Sequence, residues 1–151
     1  MDFSSYITGF IDGEGCFSVS FMKRSKMKSG IEIRPSFSVS QHKRNLPLVK
    51  KIHGFFGVGG IRFSKRDQNY KYEVRSLKDL TSVIIPHFEK YPLMTSKRSD
   101  FDKFVLICAL MKQNKHLNKK YLLQIIDLAY EMNGSGKRRY KKKELLKSVI
   151  R

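Results

Sequence analysis

Apolar residues recur at helical spacing over the first dozen positions. Phe3, Tyr6, Ile7, Phe10 and Ile11 fall on one side of a helix read over residues 3 to 13, which Gly13 and Gly15 end. The pattern then switches to alternation: Phe17, Val19 and Phe21 point one way, and Cys16, Ser18, Ser20 and Met22 the other. After a turn over Lys23 to Gly30 the alternation resumes through Ile31, Ile33, Phe37 and Val39, which makes a hairpin with one apolar and one polar face. Asn45 reads as the N-cap of a second helix carrying Leu48, Val49, Ile52, Phe55 and Phe56, with Pro47 in its first turn and Gly57 as its stop. A second hairpin runs near Val58 to Lys65 and Tyr70 to Arg75, turning at Arg66-Asp67-Gln68-Asn69. Ser76 with Asp79 forms a capping box for a third helix ending near Tyr91-Pro92. Residues 99 to 113 and 119 to 132 read as two more helices, and Asn133-Gly134-Ser135-Gly136 breaks to a basic terminal segment, residues 137 to 151.

Helix, hairpin, helix, hairpin, helix is an α+β order. It predicts one four-stranded antiparallel sheet covered by helices on its apolar face, with additional C-terminal helices, all in a single domain over residues 1 to 151. The polar face is left to solvent or to a ligand. Strand parity assigns to it Ser18, Ser20, Met22 and Arg24 from the first strand and Glu32, Arg34, Ser36 and Ser38 from the second. Arg62, Ser64 and Arg66 follow from the third, and Lys71, Glu73 and Arg75 from the fourth.

Parity alone leaves that face equally consistent with an ordinary solvated surface, and charge changes the picture. With Lys+Arg 31 against Asp+Glu 13 the formal net charge is +18, which calls for a polyanionic partner. Interleaved Arg, Lys, Glu and Ser both donate and accept, as reading base edges in a major groove requires. The terminal run Lys137-Arg138-Arg139-Tyr140-Lys141-Lys142-Lys143 suits contact with a phosphate backbone, or equally a frayed basic tail. The longest apolar run, Phe104 to Met111, is far short of the roughly 20 residues a bilayer span needs. A peripheral membrane role would rest on the short Lys143 to Arg151 segment alone. The start, Met1-Asp2-Phe3-Ser4-Ser5, carries no secretory pattern, and the two cysteines, Cys16 and Cys108, form no CxxC pair, so the expected setting is a reducing intracellular one, its compartment unspecified. His42, His53, His87 and His116 show no metal-ligand spacing.

Within this basic chain, residues 1 to 20 hold Asp2, Asp12 and Glu14 and no Lys or Arg. Asp12 and Glu14 sit at the C-terminal end of the first helix, where the helix dipole disfavours acids. A bound cation would reverse that penalty, and Mg²⁺ is commonly held by one or two carboxylates together with phosphate and water. Ser5, Gly9 and Gly13 lie four apart on the same helix, a stripe along which a second such helix can approach closely.

The stretch Ile7-Thr8-Gly9-Phe10-Ile11-Asp12-Gly13-Glu14-Gly15, with the Cys16-Phe17-Ser18-Val19 strand after it, resembles the defining motif of the LAGLIDADG homing endonucleases. Further matches are Phe37-Ser38-Val39-Ser40-Gln41, Gly57-Val58-Gly59 and Tyr91-Pro92-Leu93-Met94-Thr95-Ser96-Lys97, so the resemblance covers essentially the whole chain. It implies the αββαββα core of that family. Because one motif copy is present, it also implies a homodimer, with Ser5, Thr8, Gly9, Asp12 and Gly13 at the two-fold seam. By the same resemblance Glu14 takes the metal-binding acid position, with the Gly13 carbonyl beside it and Asp12 supporting helix packing and capping. Gln41 positions the hydrolytic water, and Lys97, or Arg98 if the alignment slips by one, serves the scissile phosphate. A family arginine near the second helix falls on Asn45, with Arg44 or Lys43 adjacent. The implied activity is site-specific double-strand cleavage of a long, near-palindromic duplex DNA with Mg²⁺, for which Mn²⁺ or Ca²⁺ can substitute in binding. No small-molecule cofactor and no membrane are implied. The alternative is a non-cleaving binder on the same fold, an intron RNA maturase or a DNA-binding regulator.

Overall fold

The computed structural model describes residues 1–133 and 138–150, the last by its backbone alone. The first helix, α1 (Phe3–Glu14), starts at Asp2, whose carboxylate accepts from the Ser4 N–H and the Ser5 hydroxyl. Strands β1 (Gly15–Lys23) and β2 (Ile31–His42) follow, then a 3₁₀ turn (Lys43–Asn45), α2 (Leu46–Phe56), β3 (Gly60–Ser64) and β4 (Asn69–Val74). The sheet order is β1-β2-β4-β3, and β4 pairs antiparallel with both β2 and β3. Helices α3 (Leu77–Asp79), α4 (Ile85–Lys90), α5 (Lys97–Lys112), α6 (Lys119–Tyr130) and α7 (Lys142–Ile150) complete the chain. This is the α+β fold expected, with its four-stranded antiparallel sheet and added C-terminal helices.

Two compact units can be distinguished, residues 1–17 with 36–98 and residues 18–35 with 99–151, and β1 and β2 each run from one into the other. In the first unit the alternating strand residues Phe17, Phe37, Val39, Tyr72 and Val74 are buried against Ile7 and Ile11 of α1 and Val49, Ile52 and Phe56 of α2. Phe37 is the hub: its ring meets those of Phe17 at 5.2 Å, Phe88 at 5.6 Å and Phe56 at 5.9 Å. Gly59 has φ +82°, and a Cβ there would lie 2.5 Å from the Glu73 carbonyl oxygen, so only glycine lets β3 enter this close to β4.

In the second unit α5 buries Phe101, Phe104, Ile107, Cys108 and Met111, and α6 buries Leu122, Ile125, Ile126 and Ala129, both at helical spacing. Val19, Phe21 and Ile31 of the first hairpin are buried in the same unit, and the Phe21 ring stacks with that of Tyr130 in α6 at 6.2 Å. Burial pushes the Cys108 thiol up to about 12, in keeping with a small packing residue. The terminal segment is no frayed tail where it is described: α7 buries Leu145, and Lys142 pairs with Asp127 at 2.8 Å.

Three local features depart from the sequence reading. The helical stretch after Ser76 is interrupted by a wide π-type turn, Leu80–Ile84, just before Pro86, whose ring nitrogen has no hydrogen for a regular ladder. Pro35 sits inside β2, which is tolerated because pairing with β4 covers only Phe37 to His42. Asn45 precedes α2 but does not cap it, since its side-chain amide donates to Gln41 instead.

His87 of α4 is packed among Phe55, Phe56, Phe88 and Tyr91. Burial lowers its pKa from the ordinary 6.5, against a smaller opposing pull from Asp2. The unfolded chain therefore takes up this proton first, and the stability the neutral ring contributes is lost as pH falls below 6.5 through the native value. Urea midpoints measured from pH 7.5 to 5 should decline for the parent, and His87→Gln should flatten that part of the profile.

Candidate functional site

The C-terminal end of α1 is fixed from two directions. The Asp12 carboxylate accepts from the Met94 N–H at 2.7 Å, the Thr95 N–H at 3.2 Å and the Thr95 hydroxyl at 2.5 Å. Partial burial works to raise its pKa, but these hydrogen bonds and the Lys97 charge outweigh it and hold the acid below its ordinary range. Thr95 in turn accepts from the Lys97 N–H at 3.2 Å, at the start of α5. The Lys97 ammonium returns to α1 and donates to the carbonyls of Ile11 at 3.0 Å and Asp12 at 3.1 Å. Those are carbonyls of the last turn, where the helix dipole is negative, so the cation offsets the field that disfavours acids there.

Glu14 ends that helix with its side chain exposed. Gln41 of β2 donates to its Oε2 at 3.5 Å and accepts from Asn45 Nδ2 at 3.0 Å, so the carboxamide is oriented from its other end. Glu14, Gln41 and Lys97 are thus brought to one helix end. The sequence reading missed Thr95 as a partner of Asp12, and it saw Asn45 as a cap rather than as the support of Gln41.

The helix stripe is only partly as expected. Ser5, Gly9 and Gly13 are exposed, and a Cβ at either glycine would meet nothing within 4 Å. Thr8, expected at the same seam, points inward and is buried: its hydroxyl donates to the Tyr91 carbonyl at 2.9 Å. With its hydrogen committed there, it is left to accept from His87 Nε2 at 3.1 Å. Asp12 is turned to the 94–95 backbone.

On the polar strand face of the first unit, Arg62, Ser64, Arg66 and Arg75 are exposed, while Lys71 and Ser36 are half-buried. Ser38, opposite Glu73 in the register, is buried rather than open. Arg66 lies in the β3–β4 turn rather than in a strand. In the second unit Ser18, Ser20 and Met22 alternate with the buried Val19 and Phe21, Arg24 lies just past the end of β1 rather than in it, and Glu32 and Arg34 flank the half-buried Ile33; Glu32 pairs with Arg24 at 2.8 Å and Arg34 at 3.2 Å.

The basic run is split in role. Lys137 lies outside the described residues. Arg139 is exposed, with a guanidinium nitrogen 3.4 Å from the Met22 sulfur. Arg138, expected to meet DNA, is instead held inside the second unit. Its guanidinium donates to the Val19 carbonyl at 2.6 Å and to the Ala129 carbonyl, and sits 4.5 Å from the Tyr130 ring centroid. Desolvation by these neighbours lowers its pKa. With two of its donors on backbone carbonyls, the half-buried Arg138 is tied into the fold rather than displayed as a free basic side chain.

The family model for LAGLIDADG endonuclease matches residues 7–108, and the chain belongs to that family. It is 38% identical over 116 residues, 76% of the chain and 25% of the relative, to an uncharacterised 50.9 kDa protein in ND4 intron 1 of Podospora anserina. It is 35% identical over 133 residues, 88% of the chain and 47% of the relative, to a probable intron-encoded DNA endonuclease 1 of Mycosarcoma maydis. The chain spans about a quarter to a half of the length of several of the curated relatives it matches. Among solved structures it is similar to the homing endonuclease I-TnaI, at 34% identity and TM-score 0.85, covering 97% of this chain and 95% of that one. It is also similar to I-SmaMI bound to an uncleaved DNA target in the presence of calcium ions, at 33% identity and TM-score 0.87, covering 98% of this chain and 49% of that one.

Arg138→Gln should cost about 1–3 kcal/mol in denaturant unfolding by orphaning two carbonyls, whereas Arg139→Gln, at an exposed side chain, should leave the urea midpoint close to that of the parent.

Proposed function

We propose that the whole chain, residues 1–151, acts as one endonuclease domain that pairs with a second copy and cuts both strands of a long, near-palindromic DNA site by phosphodiester hydrolysis. The observation that carries this reading is the end of α1: an exposed Glu14, a carboxamide held against it by Asn45, and a lysine fixed in the same turn. A binder has no need of an acid and an ordered amide arranged to face a phosphate.

Each residue has a distinct task. Gln41, restrained at both ends, orders a water for in-line attack without acting as a strong base. Lys97 spends two ammonium hydrogens on α1 carbonyls and retains a third for the phosphate, where it offsets charge developing on the equatorial oxygens. Asp12 holds Thr95 and so fixes where Lys97 begins.

Among the described residues no group of three or more His, Cys, Asp or Glu side chains could enclose a metal ion. One carboxylate per chain with a carbonyl beside it is instead the open donor set that a hard divalent cation completes with water and phosphate. Glu14 and the Gly13 carbonyl would hold it, with Mg²⁺ the ion proposed and the calcium in the I-SmaMI structure supporting the class. When bound, it would lower the pKa of water and offset charge on the departing oxygen.

Pairing is supported by the open backbone at Gly9 and Gly13 and by single-copy coverage of about half of the I-SmaMI chain. A two-fold axis would present two equal sheet faces and two Glu14 carboxylates. The exposed residues of the polar face would meet the DNA, with Arg62, Lys71, Arg75, Arg24, Arg34 and Arg139 supplying most of the charge. The relative named for an ND4 intron supports a gene carried in an intron.

The test is cleavage of a pooled library of near-palindromic duplexes with Mg²⁺, together with sedimentation of the protein–DNA complex. The parent should cut both strands as two chains per duplex. Glu14→Gln should slow cutting by at least about a hundredfold while the complex persists. Tight binding without cuts by the parent would refute the nuclease and leave a regulator or splicing factor.

A further inference from the structure

Glu73 of β4 lies on the polar strand face of the first unit, and its side chain is only 14% exposed. It is recessed because its cross-strand neighbours are small: Gly60 of β3 on one side and Ser38 of β2 on the other. Longer cations surround it. On Oε1 it has Arg62 at 3.2 Å and Arg75 at 3.9 Å, and on Oε2 it has Lys71 at 3.3 Å and the Ser36 hydroxyl, which donates at 3.4 Å. The three basic side chains remain well exposed, at 68%, 40% and 55% for Arg62, Lys71 and Arg75.

Each Glu73 oxygen already accepts one hydrogen bond, from Arg62 and from Ser36, and Lys71 and Arg75 crowd the same carboxylate as ion-pair neighbours. A base amino group would have to compete with these cations, which disfavours a Glu73 that reads cytosine directly. The basic residues are in the opposite position. Each is anchored at one atom and has donors to spare, five N–H groups on each arginine and three on the lysine. An arginine held this way loses less side-chain freedom when it engages a base edge, and it is kept from reaching for the nearest phosphate.

We propose that Glu73 is a positioning residue for sequence discrimination. It fixes Arg62, Lys71 and Arg75 as one preoriented donor array, and the array, not the acid, reads the bases. This rests on the reading of the chain as a DNA-binding protein and goes beyond it by assigning the division of labour within the face. Glu32 makes the same kind of arrangement on a smaller scale in the second unit, with two arginines on one carboxylate oxygen and the acid itself more exposed, at 35%.

Glu73→Gln keeps the size and removes the charge. Binding would be measured against a randomised duplex library, with selected sequences read out and Kd followed over a salt series for one selected and one scrambled duplex. Four proteins are compared: the parent, Glu73→Gln, Arg62→Gln, and the variant carrying both substitutions. Thermal unfolding of each confirms the fold. Release of the cations to phosphates should tighten binding to the scrambled duplex severalfold and steepen its log–log salt slope by about one. Discrimination at the base pairs that Arg62→Gln also affects should fall by about tenfold or more. The double variant should lose no more discrimination there than either single one, because the two act as a unit. Loss confined to one base pair that Arg62→Gln leaves alone, with the scrambled duplex unchanged, would make Glu73 a direct reader and overturn the proposal. Unchanged discrimination in Glu73→Gln would overturn it too. A parent that binds no duplex in the library would overturn the DNA-binding reading and this proposal together, a result distinct from either.

Discussion

Everything at the candidate site depends on how the last turn of α1 is tied down. A helix end is a poor place for an acid: its carbonyls carry partial negative charge and lack internal partners. Here Lys97 takes two of those carbonyls, and Asp12 takes the backbone and hydroxyl of residues 94 and 95. The two contacts cross between the same pair of segments in opposite senses, acid from α1 to the loop and base from α5 back to α1. The outcome is a fixed platform on which Glu14 projects, with Gln41 set against it from β2.

Charge elsewhere in the molecule is organised on the same principle, opposite charges placed to hold and aim rather than to neutralise. A chain with +18 formal charge bears few acids. Those on the strand face each gather several cations, Glu73 from three side chains and Glu32 from two. Exposed ion pairs of this kind contribute little to stability, so their use lies in where they leave the guanidinium and ammonium groups. Arg138 shows the other limit: drawn into contact with two backbone carbonyls, it ties the terminal segment to β1 and α6 and ceases to be a surface charge.

Strand parity was legible because one buried face imposes a period of two, and every strand residue assigned to the core side from Phe17 to Val39, apart from the half-buried Ile33, is buried. The helices of the second unit were legible for the same reason at a period of 3.6. What escaped depended on partners distant in sequence. Thr8 sits beside Gly9 in the motif, but its direction is decided by His87 and Tyr91, 79 and 83 positions away. Arg138 belongs to a run that composition reads as uniform, and only the Val19 carbonyl distinguishes it from Arg139. Asn45 has the right residue type and place for a cap, yet its side chain makes no cap hydrogen bond and its amide donates to the Gln41 carboxamide, a partner on β2. The residues of the candidate site itself were found through the motif resemblance, whereas their mutual support was visible only once the fold joined α1, β2 and the start of α5.

The account stands or falls on whether the tie between α1 and α5 serves the chemical step. Single-turnover cleavage of a saturating selected duplex by Asp12→Asn and Lys97→Met, with Kd measured in parallel, separates the possibilities. A cleavage rate lowered by about a hundredfold or more with Kd within a few-fold of the parent is the result the proposed function predicts, since it gives both residues a part in positioning the reacting phosphate. A parent-like rate at saturation with weakened binding would show that the tie merely holds the fold or the DNA, and would contradict the assignment of this helix end as the catalytic platform.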